Sequence, residues 1–187
     1  MKSNPEITID DNHVYRDSAG RVVLGVTGII RACGLMDSYG WNDYTRDRGT
    51  AVHKAVELYE RGTLDEDSLD PVILPYLDGW RSFRAGTGYE SETLEQIVYS
   101  PSYRYAGTLD QTGFIGKKTC VLDIKTGPEQ RWWALQTAAY NGVAKRAERY
   151  SLMLPGDGKW KLIKHEDKSD WQVFLACLTV AGWRQSA

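Results

Sequence analysis

Apolar residues follow two periods along this chain, and the period changes mark its elements. Residues 6–9 and 13–15 alternate like short strands around a turn at Asp10-Asp11-Asn12, and Val22–Val26 reads as a third strand. Thr27–Cys33 fits a short helix ended by Gly34. In residues 50–61, Val52, Ala55, Val56 and Tyr59 share one helical face, with Thr50 placed as N-cap and Gly62 as stop. Residues 66–85 hold another helix, started or interrupted near Pro71 and Pro75, that turns Leu77, Trp80 and Phe83 inward. Leu94–Ser100 is strand-like, and runs at 106–115 and 119–126 form a hairpin. Pro128 to Arg149 reads as one long helix, with proline near its first turn and basic residues in its last. Ser151–Leu154 and Trp160–Lys164 make a second hairpin around Pro155-Gly156-Asp157-Gly158, and Asp170–Trp183 closes the chain as a helix. This order predicts one α/β domain over residues 1–187, a mixed central β-sheet flanked by helices.

The hairpin GTLDQTGFIGKKTCVLDIKTG (107–127) carries the first chemical signal. A two-residue loop at Gly116-Lys117 suits a tight turn with glycine first. Ile115 then pairs with Lys118, and Asp110 comes to lie opposite Asp123. Lys125, two residues on, shares the face of Asp123. Opposed like charges destabilise a sheet, so two crowded carboxylates beside an ammonium call for a divalent cation, which favours carboxylates plus a substrate phosphate. The plainer alternative is a solvated polar hairpin face, and a three-residue loop would break the register.

Composition narrows the class. The chain has 187 residues, 42% hydrophobic and 26% charged, which is ordinary for a globular domain with a substantial core. No apolar run is long enough to span a membrane, and the polar start MKSNPEITIDDN lacks the apolar core of a signal peptide. Cys33, Cys120 and Cys177 are scattered and form no C-x-x-C pair, which argues against a zinc ribbon or a four-cysteine iron–sulfur cluster and fits a reducing cytoplasm. Net charge is −2, so there is no global basic footprint for nucleic acid. Local basic clusters occur at Arg46 and Arg48, at Lys117 and Lys118, at Lys145, Arg146 and Arg149, and at Lys159, Lys161 and Lys164; each is more often a solvated face than a phosphate track.

Two further groups stand out. His53 borders the apolar stripe of the 50–61 helix, with Glu57 one turn on, and Gly49 allows close backbone approach before it. A lone helix histidine is more often structural than a ligand. Trp132, Gln136 and Tyr140 follow at one-turn spacing. Trp132 reads best as core, whereas a buried Gln136 amide among aromatics requires a polar partner.

Gly-Thr-Ala-Val-His (49–53), Gly-Thr-Leu-Asp (107–110), Asp-Ile-Lys-Thr-Gly (123–127) and Gln-Thr-Ala-Ala-Tyr (136–140) occur in that order. Together, over residues 45–145, they resemble the PD-(D/E)XK nuclease superfamily in its RecB-type branch, and RGTAVHKAVELYERG is similar to small phage-type exonucleases. The resemblance implies a restriction-endonuclease-like core. It implies that Asp110 and Asp123, with His53 and the main-chain carbonyl of Ile124, ligate Mg²⁺, with Mn²⁺ as substitute, and that Lys125 orients or deprotonates the attacking water. Gln136 and Tyr140 would position the metal shell or the DNA backbone, and Glu95 aligns with a further acidic position. The iron–sulfur cysteines of some members are missing, and no helicase motif accompanies the nuclease.

The expected activity is a metal-dependent DNA exonuclease serving phage-type recombination or end processing. DNA is the expected partner, with a single-strand annealing or recombination protein beside it, no membrane, and an oligomer left open. Two alternatives stand: a structure-specific endonuclease on the same core, and a catalytically silent nucleic-acid-binding module.

Overall fold

A computed structural model describes residues 6–10, 12–36 and 42–185 of the chain. Asp11 of the predicted first turn lies outside them. The elements are β1 (Ile7–Ile9), β2 (Tyr15–Asp17), β3 (Val22–Gly25), α1 (Val26–Ala32), α2 (Asp43–Glu60), α3 (Leu74–Thr87), β4 (Glu90–Ser100), β5 (Tyr105–Ile115), β6 (Lys118–Lys125), α4 (Trp133–Ala144), β7 (Glu148–Met153), β8 (Lys161–Lys164) and α5 (Ser169–Gln185). Eight strands form a mixed sheet in the order β1-β2-β3-β5-β6-β7-β8, with β4 paired to β5 beside that path. The β3–β5 and β6–β7 pairs are parallel and the others antiparallel. This is the α/β class expected from the order of elements. Among the described residues, no helix is long and apolar enough to cross a membrane.

Each face of the sheet buries its own core. On one side α1, α4 and α5 pack Ile29, Ile30, Tyr140 and Phe174 onto Leu109 and Val121. On the other, α2 and α3 pack Val52, Val56, Trp80 and Phe83 onto Cys120, Leu122 and Ile124. The alternation along β6 follows the two-residue period of a strand buried on both faces.

Three expectations are corrected. The helix predicted from Thr50 begins at Asp43, where Asn42 and Thr45 form a reciprocal capping box. Thr50 lies inside that helix and its hydroxyl donates to the Arg46 carbonyl at 3.2 Å. The stretch 66–85 divides into a 3₁₀ turn at Glu66–Ser68 and α3, whose first turn carries Pro75. The long helix predicted over 128–149 is only α4. It ends where Lys145 adopts a left-handed φ of 53°, and Glu148–Met153 forms β7 against β6. A parallel β6–β7 pair needs a crossover connection, and α4 is that crossover.

Candidate active site

The β5–β6 hairpin closes through Gly116, whose φ of 60° suits the first position of a II′ turn, and Ile115 pairs with Lys118 as expected. The ladder runs to Gln111–Leu122 and stops one pair short of Asp110 and Asp123. Directly opposed residues share a face, yet Leu109 packs in the α1/α4/α5 core and Ile124 in the α2/α3 core. The alternation of β5 therefore breaks at Asp110, so Asp110 and Asp123 are not a simple cross-strand pair. The Asp110 carboxylate instead accepts the Ile124 backbone N–H at 2.7 Å.

The neighbouring strand is distorted at the same level. Glu95 lies between the pairs Leu94–Gln111 and Gln96–Leu109, beside Asp110, with a φ of 49°. A glutamate there is an outlier that costs on the order of 1–3 kcal/mol, a cost that persists mainly at functional sites. From α2, His53 reaches in, its Nδ1 3.4 Å from Asp110 Oδ1. One ligand atom each from His53, Glu95 and Asp110 lies within 4.8 Å of the others. Two carboxylate oxygens and an imidazole nitrogen form a donor set that could hold a divalent cation. Glu57 does not join it: Lys54 and Arg61 hold its carboxylate at 2.8 and 2.9 Å.

Asp123, fully buried, stands apart from that trio and ion-pairs with Lys125, Oδ2 to Nζ 2.6 Å. The ammonium of Lys125 also donates to Gln136 Oε1 at 2.7 Å, and Gln136 Nε2 donates to the Tyr140 hydroxyl at 2.9 Å. The partner that a buried Gln136 required is thus Lys125 on one side and Tyr140 on the other. The turn spacing of α4 puts Gln136 and Tyr140 in line, and Gly107 gives Tyr140 its room: a Cβ at Gly107 would sit 2.7 Å from Tyr140 Cε1. Gly49 shows no such crowding, since a Cβ there would meet only Thr126 Oγ1, at 3.4 Å.

Charge crowding governs protonation. Burial disfavours a charged His53, but the Asp110 carboxylate outweighs it and raises the imidazole to about 9. Burial, reinforced by Asp110, pushes Glu95 up to about 8. Burial also lifts Asp123 to about 6, against the pull of Lys125. For Asp110, burial is overcome by His53, Lys125 and the Ile124 N–H, and its pKa is lowered. Opposite shifts in adjacent acids are what a crowded functional site produces.

Sequence reasoning passed over the surroundings of Lys125. Its Nζ lies 5.1 Å from the Trp132 ring centroid and 5.8 Å from that of Trp133, so Trp132 is more than a core residue. The Trp-Trp pair seven residues after Lys125 was the available signal, because indole faces attract cations. Arg48, read from the sequence as part of a solvated basic cluster, has a structural role instead. It donates to the Thr126 carbonyl at 3.3 Å and lies over the Tyr44 and Tyr76 rings, tying α2 to the end of β6.

No known sequence family matches the chain, and no curated protein sequence is significantly similar to it. Solved structures do resemble it. A candidate exonuclease from Eubacterium rectale aligns at a TM-score of 0.57 and 14% identity, covering 87% of this chain and 79% of its own. The alkaline exonuclease LHK-Exo from Laribacter hongkongensis aligns at a TM-score of 0.42 and 13% identity, covering 88% and 92%. The chain therefore shares its fold, a mixed sheet flanked by helices, with the Eubacterium rectale protein.

Proposed function

We propose that this chain is a divalent-metal-dependent DNA nuclease of the PD-(D/E)XK type that hydrolyses phosphodiester bonds as an exonuclease. The observation that carries the reading is the convergence of His53, Glu95 and Asp110 within 4.8 Å, beside the Asp123–Lys125 ion pair. The fold shared with a candidate exonuclease supports it. Mg²⁺ is the proposed metal, with Mn²⁺ as substitute, held by His53, Glu95 and Asp110, with Asp123 and the Ile124 carbonyl beside them. Bound there, the metal would supply an activated water and neutralise charge on the phosphate.

The chain's own groups do the rest. Lys125 holds a positive charge at the site, aimed by Gln136 Oε1 and flanked by two indoles. There it can hydrogen-bond the attacking water or a non-bridging phosphate oxygen. Tyr140 steadies Gln136. Asp110, anchored on the Ile124 N–H, keeps its charge ready for a cation. End processing in phage-type recombination, with a single-strand annealing protein as partner, is proposed from the motif resemblance.

The test is digestion of linear, circular and single-stranded DNA in Mg²⁺, Mn²⁺ or EDTA. Linear DNA should be degraded from its ends with Mg²⁺ and with Mn²⁺, circular DNA should persist, and EDTA should stop the reaction. Circular DNA cut as fast as linear would replace exonuclease with endonuclease. A folded protein that cuts none of them would sink the nuclease reading.

A further inference from the structure

At the end of α4 remote from Lys125, a cavity of about 690 Å³ opens between α4, β7, the β8–α5 connection and the start of α5. Lys145, Arg146, Arg149, Lys164 and Lys168 line it, together with Trp171. A helix C-terminus attracts cations within its last turn, which accounts for Lys145 but not for cations that three other segments bring to the same hollow. Two of the three acids in the wall are paired with cations, and the third caps the turn before α5. Glu148 is held by Lys118 and Lys164 at 2.6 and 3.2 Å, Glu166 by Lys164 at 2.6 Å, and Asp167 accepts the Ser169 backbone N–H at 2.8 Å. Arg149 is bound to Asp170 at 2.8 Å and Arg146 to Glu92 at 2.5 Å. Lys145 and Lys168 are exposed, and among the described residues neither forms an ion pair.

Trp171 is set rigidly at this wall. It stacks on Phe174 at 5.8 Å, meets the Tyr103 ring edge-on at 5.5 Å, and abuts Gly142, where a Cβ would come within 2.6 Å of the indole. Tyr103 is itself exposed, which extends the aromatic surface outward. Cations in a hollow beside a fixed aromatic ring are the elements that bind single-stranded nucleic acid. The backbone follows the charge, and an unstacked base lies on the ring. A duplex, whose bases are already stacked, cannot use the ring in this way.

We infer that this cavity is a second nucleic-acid site, which takes the phosphodiester backbone of single-stranded DNA on Lys145 and Lys168 and a base on Trp171. Its role in strand processing rests on the nuclease reading, whereas binding at the cavity does not. From Gln136 to Lys145 the α4 axis advances about 14 Å at about 1.5 Å per residue. Successive phosphates of an extended, unstacked strand lie about twice the 3.4 Å duplex rise apart, so a strand whose end is at the acidic site would be held about two nucleotides away.

The test uses the full chain in EDTA with a fluorescent 20-nucleotide oligothymidine, read by anisotropy across a salt series. The variant is Lys145→Asn with Lys168→Gln; asparagine tolerates the left-handed backbone at 145. It should melt as wild type does and bind the oligonucleotide about tenfold more weakly. Its salt slope should fall by about 1.4, at about 0.7 per phosphate lost. With Mg²⁺ its cleavage of a dinucleotide, too short to reach the cavity, should be unchanged. Wild-type affinity and slope in the folded variant would overturn the inference, as would dTMP competing as well as the 20-mer, which would mark a site for free nucleotide. Binding that depends on Lys145 and Lys168 in a protein that cuts no DNA would uphold this site while the nuclease reading falls. Cleavage with unaltered binding would do the reverse.

Discussion

Lys125 carries the sharpest consequences of the geometry. Its ammonium has three neighbours of different kinds, the Asp123 carboxylate, the Gln136 carbonyl oxygen and the two indole faces. These contacts fix where the side chain is aimed. Lys125→Ala should lower the single-turnover cleavage rate by about a hundred- to ten-thousandfold while DNA binding, measured in EDTA, changes little. Lys125→Arg separates the two roles left open for this residue. Guanidinium keeps the charge but cannot give up a proton at working pH. An active arginine variant in a single-turnover assay would leave charge stabilisation as the role, and an inactive, folded one would favour proton transfer.

At the scale of elements, the site depends on how closely α4 approaches the start of β5. Gly107 is the contact point, because a Cβ there would stand 2.7 Å from Tyr140 Cε1 and 3.1 Å from Val26 Cγ2. Both neighbours are buried and cannot move aside freely. Gly107→Ala should therefore destabilise the protein by about 1–3 kcal/mol, as overpacking does. It should also slow cleavage more than the loss of stability explains, because Tyr140 holds Gln136 and Gln136 holds Lys125. The comparison is Gly182→Ala in α5, where a Cβ would meet nothing within 4 Å. Relief of helical glycine there should raise stability by up to about 1 kcal/mol. Chemical denaturation of both variants checks the opposite signs, and equal effects at the two sites would contradict the packing argument.

Over the whole molecule, the crowded acids and His53 link stability to pH. In the folded protein Asp123 is raised from 3.8 to about 6, Glu95 from 4.5 to about 8 and His53 from 6.5 to about 9. Each group binds its proton more tightly folded than unfolded. The stability it contributes is complete below its ordinary pKa and is lost as pH rises through its folded one. Asp110 works in the opposite sense: its lowered pKa contributes stability above 3.8 that is lost as pH falls. In EDTA the melting temperature should thus decline between about pH 6.5 and 9, where His165, lowered by burial to about 4, is neutral folded and unfolded; the later part follows His53. Glu95→Gln should flatten the decline below pH 8. Divalent metal displaces the same protons, so the stabilisation it gives should grow with pH, with measurable proton release on titration. A melting temperature that climbs steadily to pH 9 without metal would refute this.

The sequence determined most of the elements, because their signals are local. The spacing of Val52, Ala55 and Val56, the Gly116-Lys117 loop and the inward row Leu77, Trp80 and Phe83 each follow from one stretch of chain, and each has its place in the fold. The order of His53, Asp110, Asp123, Lys125, Gln136 and Tyr140 was legible in the same way, as was the need of Gln136 for a polar partner. What only the tertiary structure decided depends on segments far apart in sequence. Residues 145–149 have sound helix formers, yet β7 forms because β6 offers a parallel partner and burial for Tyr150 and Leu152. The break in β5 at Asp110 and the left-handed backbone of Glu95 arise where β4, β5 and β6 meet, and no periodicity in a single strand encodes them. Those two distortions bring Glu95 and Asp110 toward His53 and leave Asp123 to Lys125. The sequence named these residues, and the packing of three strands against α2 and α4 sorted them into a candidate ligand set and an ion pair.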